Sequence, residues 1–424
     1  MLLVINVASP SQSQSLYFPP LSGSAWDTLS PSGLGWCTTE IDTLYDYLSA
    51  TNTKAFMVLK DGKIVLEKYF GTFTVDSLWY WASAGKSLTA FLTGIAQQEG
   101  FLSITDTTSD YLGAGWTVCP PLKEEKIQIV HQLSMTTGLD DGVADIYCTI
   151  DTCLQYLADA GTRWAYHTAP YTLLDTVIQS ATGLGINTWF YQKLSQPTGM
   201  VGLYIPSGFN NVFISTARTM ARFGLLMLNN GNWNGNQIMT DSVYFNQMVN
   251  TSQSLNLSYG YLWWLNGKPS FMVPGIQFAF PGSFCPDAPA DMIGALGKNG
   301  QILNVVPSQN LIVVRLGDAP GTGEVPFTYT DSVWVYLNRV MCSATAIQDN
   351  QGSDKFKLSP NPVTETIFID TADLMYVEII SSDGTLVSVF KEQHELNVSS
   401  LKSGVYYVRC VGNRHVNVGK IIKD

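Results

Sequence analysis

LWYWASAGKSLTAFLTGIAQQ, residues Leu78 to Gln98, is the stretch from which the rest of this chain can be read. Leu88, Phe91, Leu92 and Ile95 recur at the spacing of one helical face, which predicts a helix from Ser83 to about Gln98. The aromatic run LWYWA ahead of it reads as a strand-like approach. At the junction stands SAGK, Ser83 to Lys86. Residues i and i+3 on a helix project from one face, so the Ser and Lys side chains can meet. A Ser hydroxyl is a weak nucleophile until a neighbouring base takes its proton, and a desolvated Lys has a pKa low enough to serve. The helix N-terminus adds backbone N–H groups suited to an oxyanion.

The tetrad alone is a weak signal. Two more S-x-x-K occur, at Ser388–Lys391 and Ser399–Lys402, both in a region of different grammar. Gly85-Lys86-Ser87 also looks like the end of a phosphate-binding loop. That motif requires a second Gly five positions before Gly85, where Tyr80 stands, so nucleotide binding is not expected.

Working outward, Thr39–Ser49 has Ile41, Leu44, Tyr45 and Leu48 at helical spacing. Two β-rich runs, Lys54–Lys60 and Lys63–Phe70, flank Asp61-Gly62, a hairpin signal. Loops and short helices fill residues 100–250. Strands are expected at Tyr259–Leu265, Ile293–Leu296, Ile302–Val306 and Leu311–Leu316, then a helix at Thr328–Met341. Strands from both chain ends around a helical insertion imply an α+β domain with an antiparallel sheet flanked by helices. Its bounds are set at 36–342, after an N-terminal segment 1–35 whose apolar start, Met1–Ala8, is read as a clipped signal peptide or a frayed end. Ser343–Asp354 (SATAIQDNQGSD) is a polar linker. Residues 355–424 read as a small all-β sandwich, with strands at Tyr376–Ser381, Thr385–Phe390, Gly404–Cys410 and Val416–Ile422.

Two further motifs follow SAGK in order. The first is Tyr166-His167-Thr168 in GTRWAYHTAPYTLL, preceded by IQIVHQLSMTTGLDD (Ile127–Asp141). The second is Lys298-Asn299-Gly300 in GALGKNGQILNVVPSQNLIVVRLG. In this order and spacing they resemble the serine β-lactamase and D,D-peptidase superfamily, particularly its class C and carboxylesterase branches, over residues 36–342. The resemblance implies Ser83 as nucleophile, Lys86 as its activating partner, and Tyr166 as the residue that shares the proton and activates water. It implies an oxyanion hole from the backbone N–H groups of Ser83 and Gln301. Substrate contacts would come from His167, Thr168, Lys298, Asn299 and Gly300, the last three on a strand bordering the site. Thr168 departs from the pattern, which has Asn there to hold the acyl side chain. The tail resembles a type IX secretion sorting domain, through SPNP (Ser359–Pro362), the turn at Ser382-Asp383-Gly384, LKSGVYYVR (Leu401–Arg409) and the terminal GKIIKD. That implies export through the periplasm to the medium or the cell surface of a Bacteroidetes cell, with the secretion machinery as partner.

Composition sets the outer limits. Of 424 residues, 46% are hydrophobic and 13% charged, which describes folded globular structure. A net charge of -11 argues against nucleic acid. No apolar run is long enough for a transmembrane span. The seven Cys include Cys148 and Cys153, close enough to close a small loop, and Cys37 and Cys342, which can pair across the main domain. His131 and His167 are the only histidines before the linker and no G-x-S-x-G exists, so a Ser-His-Asp triad, a metal or another cofactor is not expected. The resulting expectation is a secreted serine hydrolase that forms an acyl-enzyme on an ester, small amide or peptide-like substrate. The alternatives are a β-lactamase or D,D-peptidase, an inactive binding or sensor protein on the same scaffold, and a carbohydrate-binding role for the sandwich.

Overall fold

Apolar alternation in the first helix and hairpin already dictates a two-sided sheet. In the computed structural model, helix α1 (Ile41–Ala50) buries Leu44 and Leu48, and β1 (Thr53–Lys60) and β2 (Lys63–Tyr69) form the expected hairpin. Residues 16–320, 325–342, 357–371, 374–381, 386–411 and 416–423 are described. The Met1–Ala8 start, the Ser343–Asp354 linker and the turn at Ser382-Asp383-Gly384 lie outside them.

The chain then makes a two-residue strand β3 (Trp79–Tyr80) and the long helix α2 (Gly85–Gln98). Ser83 itself sits in a 3-10 turn, Ala82–Ala84, one step before the α-helix that the apolar spacing predicts. A helical region follows, including α3 (Leu174–Thr182), then the hairpin β4 (Gly202–Ser207) and β5 (Asn210–Ser215), which the sequence reading missed, and helix α4 (Ala217–Leu228). Of the strand expected at Tyr259–Leu265, only β6 (Trp264–Leu265) forms. Leu262 has φ 59, and its N–H and carbonyl are taken by Leu133 and the Ser87 hydroxyl, so the segment turns to cap α2. Then come β7 (Ile293–Gly297), β8 (Gln301–Val306), β9 (Leu311–Gly317) and helix α5 (Phe327–Val340).

The six-stranded sheet has the order β2-β1-β9-β8-β7-β6, with antiparallel neighbours. The fold is therefore α+β, with strands from both chain ends meeting at β1 and β9. Helix α4 packs on the sheet so closely that a Cβ at Gly224 would lie 2.8 Å from Ile312 and Leu303 side-chain atoms. Helix α5 docks through Trp334, whose indole N–H donates to Asn304 Oδ1 at 3.0 Å. Disulfides form at Cys37–Cys342, closing a separation of 305 residues, and at Cys148–Cys153. Helix α2 is buried from Gly85 to Ala96 on every side, as a central helix must be.

The tail forms two facing sheets around a separate core of Val363, Ile367, Val377, Ile379, Leu396, Val408 and Ile421. Short strands at Lys357–Ser359, Thr366–Asp370 and Glu395–Asn397 supply the sheet that sequence patterning did not reveal.

Candidate active site

The α2 N-terminus is fixed from three sides. Trp81 donates its backbone N–H to Phe213 O at 2.8 Å and its indole N–H to Ser215 Oγ at 2.7 Å, which ties the Ser83 turn to β5. Ala82, just before Ser83, has φ 47, a left-handed conformation that a non-glycine residue adopts at a cost of about 1–3 kcal/mol. On the sheet side, Gly297 ends β7 against the same turn. A Cβ there would collide with the Trp81 carbonyl and lie 2.9 Å from Ala84 N and 3.1 Å from Ser83 N. Only glycine allows this approach.

Lys86, 2% exposed, reaches Ser83 Oγ with its Nζ at 3.1 Å and Thr168 Oγ1 at 3.5 Å. Its Nζ also lies 4.2 Å from the Tyr171 ring centroid and 5.3 Å from that of Tyr166. Ser83, Lys86, Thr168 and Tyr171 line a cavity of about 450 Å³ together with Tyr80, Tyr147, Lys298, Asn299 and residues of the β4–β5 hairpin. Among the described residues, no Asp or Glu lines it.

The sequence-predicted residues divide. Ser83, Lys86, Thr168, Lys298 and Asn299 meet at the cavity, whereas Tyr166, His167, Gly300 and Gln301 are not among its lining residues. Tyr166 lies behind Lys86, its ring stacked on Trp264 at 5.6 Å. His167 is buried with neither ring nitrogen hydrogen-bonded, and burial lowers its pKa to about 4. Lys298-Asn299-Gly300 forms a 3-10 turn between β7 and β8 instead of a strand, because Asn299 (φ 63) and Gly300 (φ 74) are left-handed. Gly300 and Gln301 build that turn. A Cβ at Gly300 would lie 2.7 Å from Arg315 Nη1, and the Gln301 carboxamide pairs with both the N–H and the carbonyl of Gly317.

Sequence reasoning missed several participants. Arg315 is fully buried and donates to the carbonyls of Asn299, Gly300, Thr51 and Asp318 at 2.7–3.0 Å, so it pins the turn beneath Lys298. A charge inside LIVVRLG was the available signal. The Tyr80 hydroxyl accepts a hydrogen bond from Asn299 Nδ2 at 2.7 Å. Tyr171 and Asp175 share one helical line with Thr168, at i, i+3 and i+7. Burial pushes the Asp175 carboxyl up to about 7.

Known proteins are similar to this chain. The Beta-lactamase family profile matches residues 41–329, and that of the Secretion system C-terminal sorting domain matches residues 357–424. An uncharacterized protein of Alkalihalophilus pseudofirmus is 24% identical over 67% of this chain and 89% of its own length. The 6-aminohexanoate-dimer hydrolase of Paenarthrobacter ureafaciens is 23% identical over 66% of this chain and 76% of its own length. A penicillin-binding protein homologue from Caulobacter crescentus shares the fold, with a TM-score of 0.54 and 14% identity over 73% of this chain and 98% of that one. The C-terminal domain marks this protein as secreted or cell-surface, and no helix among the described residues is long and apolar enough to cross a membrane.

Proposed function

The chain belongs to the Beta-lactamase family, and on that premise we propose that it is a secreted serine hydrolase acting on an ester or small amide through an acyl-enzyme. The observation that carries this reading is the 3.1 Å contact between Ser83 Oγ and Lys86 Nζ at the floor of a cavity. Ser83 Oγ bonds to the substrate carbonyl carbon as its proton passes to Lys86. The proton then goes to the leaving alcohol or amine as the tetrahedral intermediate collapses. Water, deprotonated through the Lys86–Tyr166 pair, releases the acyl group as an acid and restores Ser83.

The oxyanion donors are the N–H of Ser83 and one from the strand end that faces it. We assign the second to Lys298 rather than Gln301, because Gly297 abuts Ser83 N and Lys298 lines the cavity. An amide substrate is supported by the hydrolase relative, which acts on the 6-aminohexanoate dimer. Lys298 on the wall, where no Asp or Glu of the described residues lines the cavity, suits a neutral or anionic substrate.

Intact-mass spectrometry after exposure to a fluorophosphonate tests the reading. One adduct on the wild type, absent from Ser83→Ala, is expected; an adduct that persists in the variant, or none on the wild type, overturns it. Turnover of a β-lactam dye faster than of simple esters would move the substrate to the β-lactam class, the class C reading included.

A further inference from the structure

Two asparagines at the start of β5 line the cavity wall, beside Ile205, Ser207, Val212 and Ile214. Both are half-buried, and each is held from behind by the helical segment that carries Thr168. Asn211 donates its Nδ2 to Asp175 Oδ2 at 2.9 Å, and Asn210 Oδ1 lies 3.0 Å from the Thr172 hydroxyl. The carboxamide atoms so far unengaged are Asn211 Oδ1, an acceptor, and Asn210 Nδ2, a donor.

We propose that this edge of the cavity is a subsite for a neutral amide group of the substrate, with Asn211 contacting it and Asp175 positioning Asn211. The proposal rests on the serine hydrolase reading and names its substrate class: acyl compounds that carry an amide beyond the scissile bond. Three observations support it. Among the described residues the cavity wall offers no carboxylate to recognise an amine by charge. An amide presents a carbonyl to Asn210 Nδ2 and an N–H to Asn211 Oδ1, whereas an alkyl chain in the same place leaves both carboxamides desolvated and unpaired. Thr168 offers a hydroxyl and no carboxamide at the floor, whereas the hairpin wall supplies two carboxamides.

Asp175 strengthens the case. It is 7% exposed, its Oδ1 has no hydrogen-bond partner, and Asn211 is the single side chain bonded to it. A well-packed apolar side chain there would favour stability over a buried carboxyl. What the carboxyl does is fix which end of Asn211 faces the cavity.

The test compares p-nitrophenyl esters of N-acetylglycine and pentanoic acid, equal in chain length, with rates normalised to their hydroxide reactions. The wild type should favour the amide-bearing ester in kcat/KM by about 10-fold, chiefly through KM. Asn211→Leu should bring the ratio near unity. Asp175→Leu should do the same although it leaves the cavity lining intact, and Asp175→Asn, which keeps an acceptor for Asn211, should retain the preference. Circular dichroism establishes that each variant is folded. A wild-type ratio near unity, or one unmoved in folded Asn211→Leu, overturns the proposal. Affinity of the two esters for Ser83→Ala gives the same comparison without chemistry. A preference in binding with no turnover by the wild type would retain the subsite and sink the hydrolase reading instead, while equal affinities would sink the subsite.

Discussion

The hydrolase domain and the tail each contain S-x-x-K, and the same four-residue pattern has opposite consequences in the two. At Ser83 the spacing falls on a 3-10 turn running into a helix, so i and i+3 share a face and Nζ comes within 3.1 Å of Oγ. At Ser388 it falls on a strand, Leu386–Lys391, where an odd separation sends the two side chains to opposite faces. Ser388 stands opposite Ile379, and Lys391 opposite Tyr376 at the strand end. At Ser399 it falls on an exposed turn, where both the Ser N–H and its hydroxyl are engaged by Asn397 Oδ1. Whether the Ser and Lys side chains meet is set by backbone period and burial together; the residue types alone do not decide it.

The contrast is broken most directly by removing the lysines one at a time. Lys86→Ala takes away the base beside Ser83 and should lower kcat/KM by about 100- to 10,000-fold, the range for general-base catalysis. Lys391→Ala and Lys402→Ala should leave ester hydrolysis within twofold of the wild type. Steady-state kinetics on a p-nitrophenyl ester decides it, and a comparable loss in either tail variant would discredit the argument from context.

A second change sharpens it at the level of backbone. Gly297→Ala inserts a methyl where Trp81 O, Ala84 N and Ser83 N converge, and must push the nucleophile turn off the strand end. Displacing an oxyanion donor costs about 100–1000-fold in kcat. The expected signature is a fall in kcat together with a larger loss of thermal stability than in Gly224→Ala, where the added methyl meets only side-chain ends of Ile312 and Leu303 and kcat should hold.

How much of this was legible beforehand follows the range of the forces involved. Local periodicity gave α1, the β1–β2 hairpin, α2, β7 to β9 and α5 within a residue or two. Short segments failed, because a two-residue strand or a left-handed Leu262 is set by its tertiary partners and not by its own pattern. Within the site, Ser83, Lys86, Thr168 and Lys298 were readable from order and spacing. Tyr147, Asn210 and Asn211 were not, since a wall residue contributed by a distant hairpin or loop carries no periodic mark. Gly300 and Gln301 also make contacts with Arg315 and Gly317 that build the turn, which no local pattern announces.

Arg315 tests that distinction. Arg315→Met removes donors to four carbonyls and should destabilise the protein by about 2–4 kcal/mol in urea unfolding, because several buried acceptors lose their partners at once. Activity of the folded fraction should fall as well, through a loosened Lys298-Asn299 turn. Loss of stability with kinetics per folded molecule unchanged would show that the turn holds its shape without Arg315.

The smallest effect concerns two buried titratable groups packed around the site. Asp175 is held up to about 7 from 3.8 by burial, so between pH 4 and 7 the native state keeps a proton that the unfolded chain releases, and stability falls as pH rises. His167 is held down to about 4 from 6.5 by burial, so its contribution is present above pH 6.5 and is lost as pH falls toward 4. Over pH 4 to 6.5 the two slopes oppose each other, each amounting to about 1.4 kcal/mol per pH unit at most. The wild type should therefore show nearly flat stability in this window. His167→Gln should leave the Asp175 slope exposed, with stability declining as pH rises to 7, and Asp175→Asn should show the reverse, losing stability as pH falls. Urea unfolding at intervals from pH 4.5 to 8 separates them, and curves for both variants that run parallel to the wild type would mean that neither group is desolvated as its position under the cavity requires.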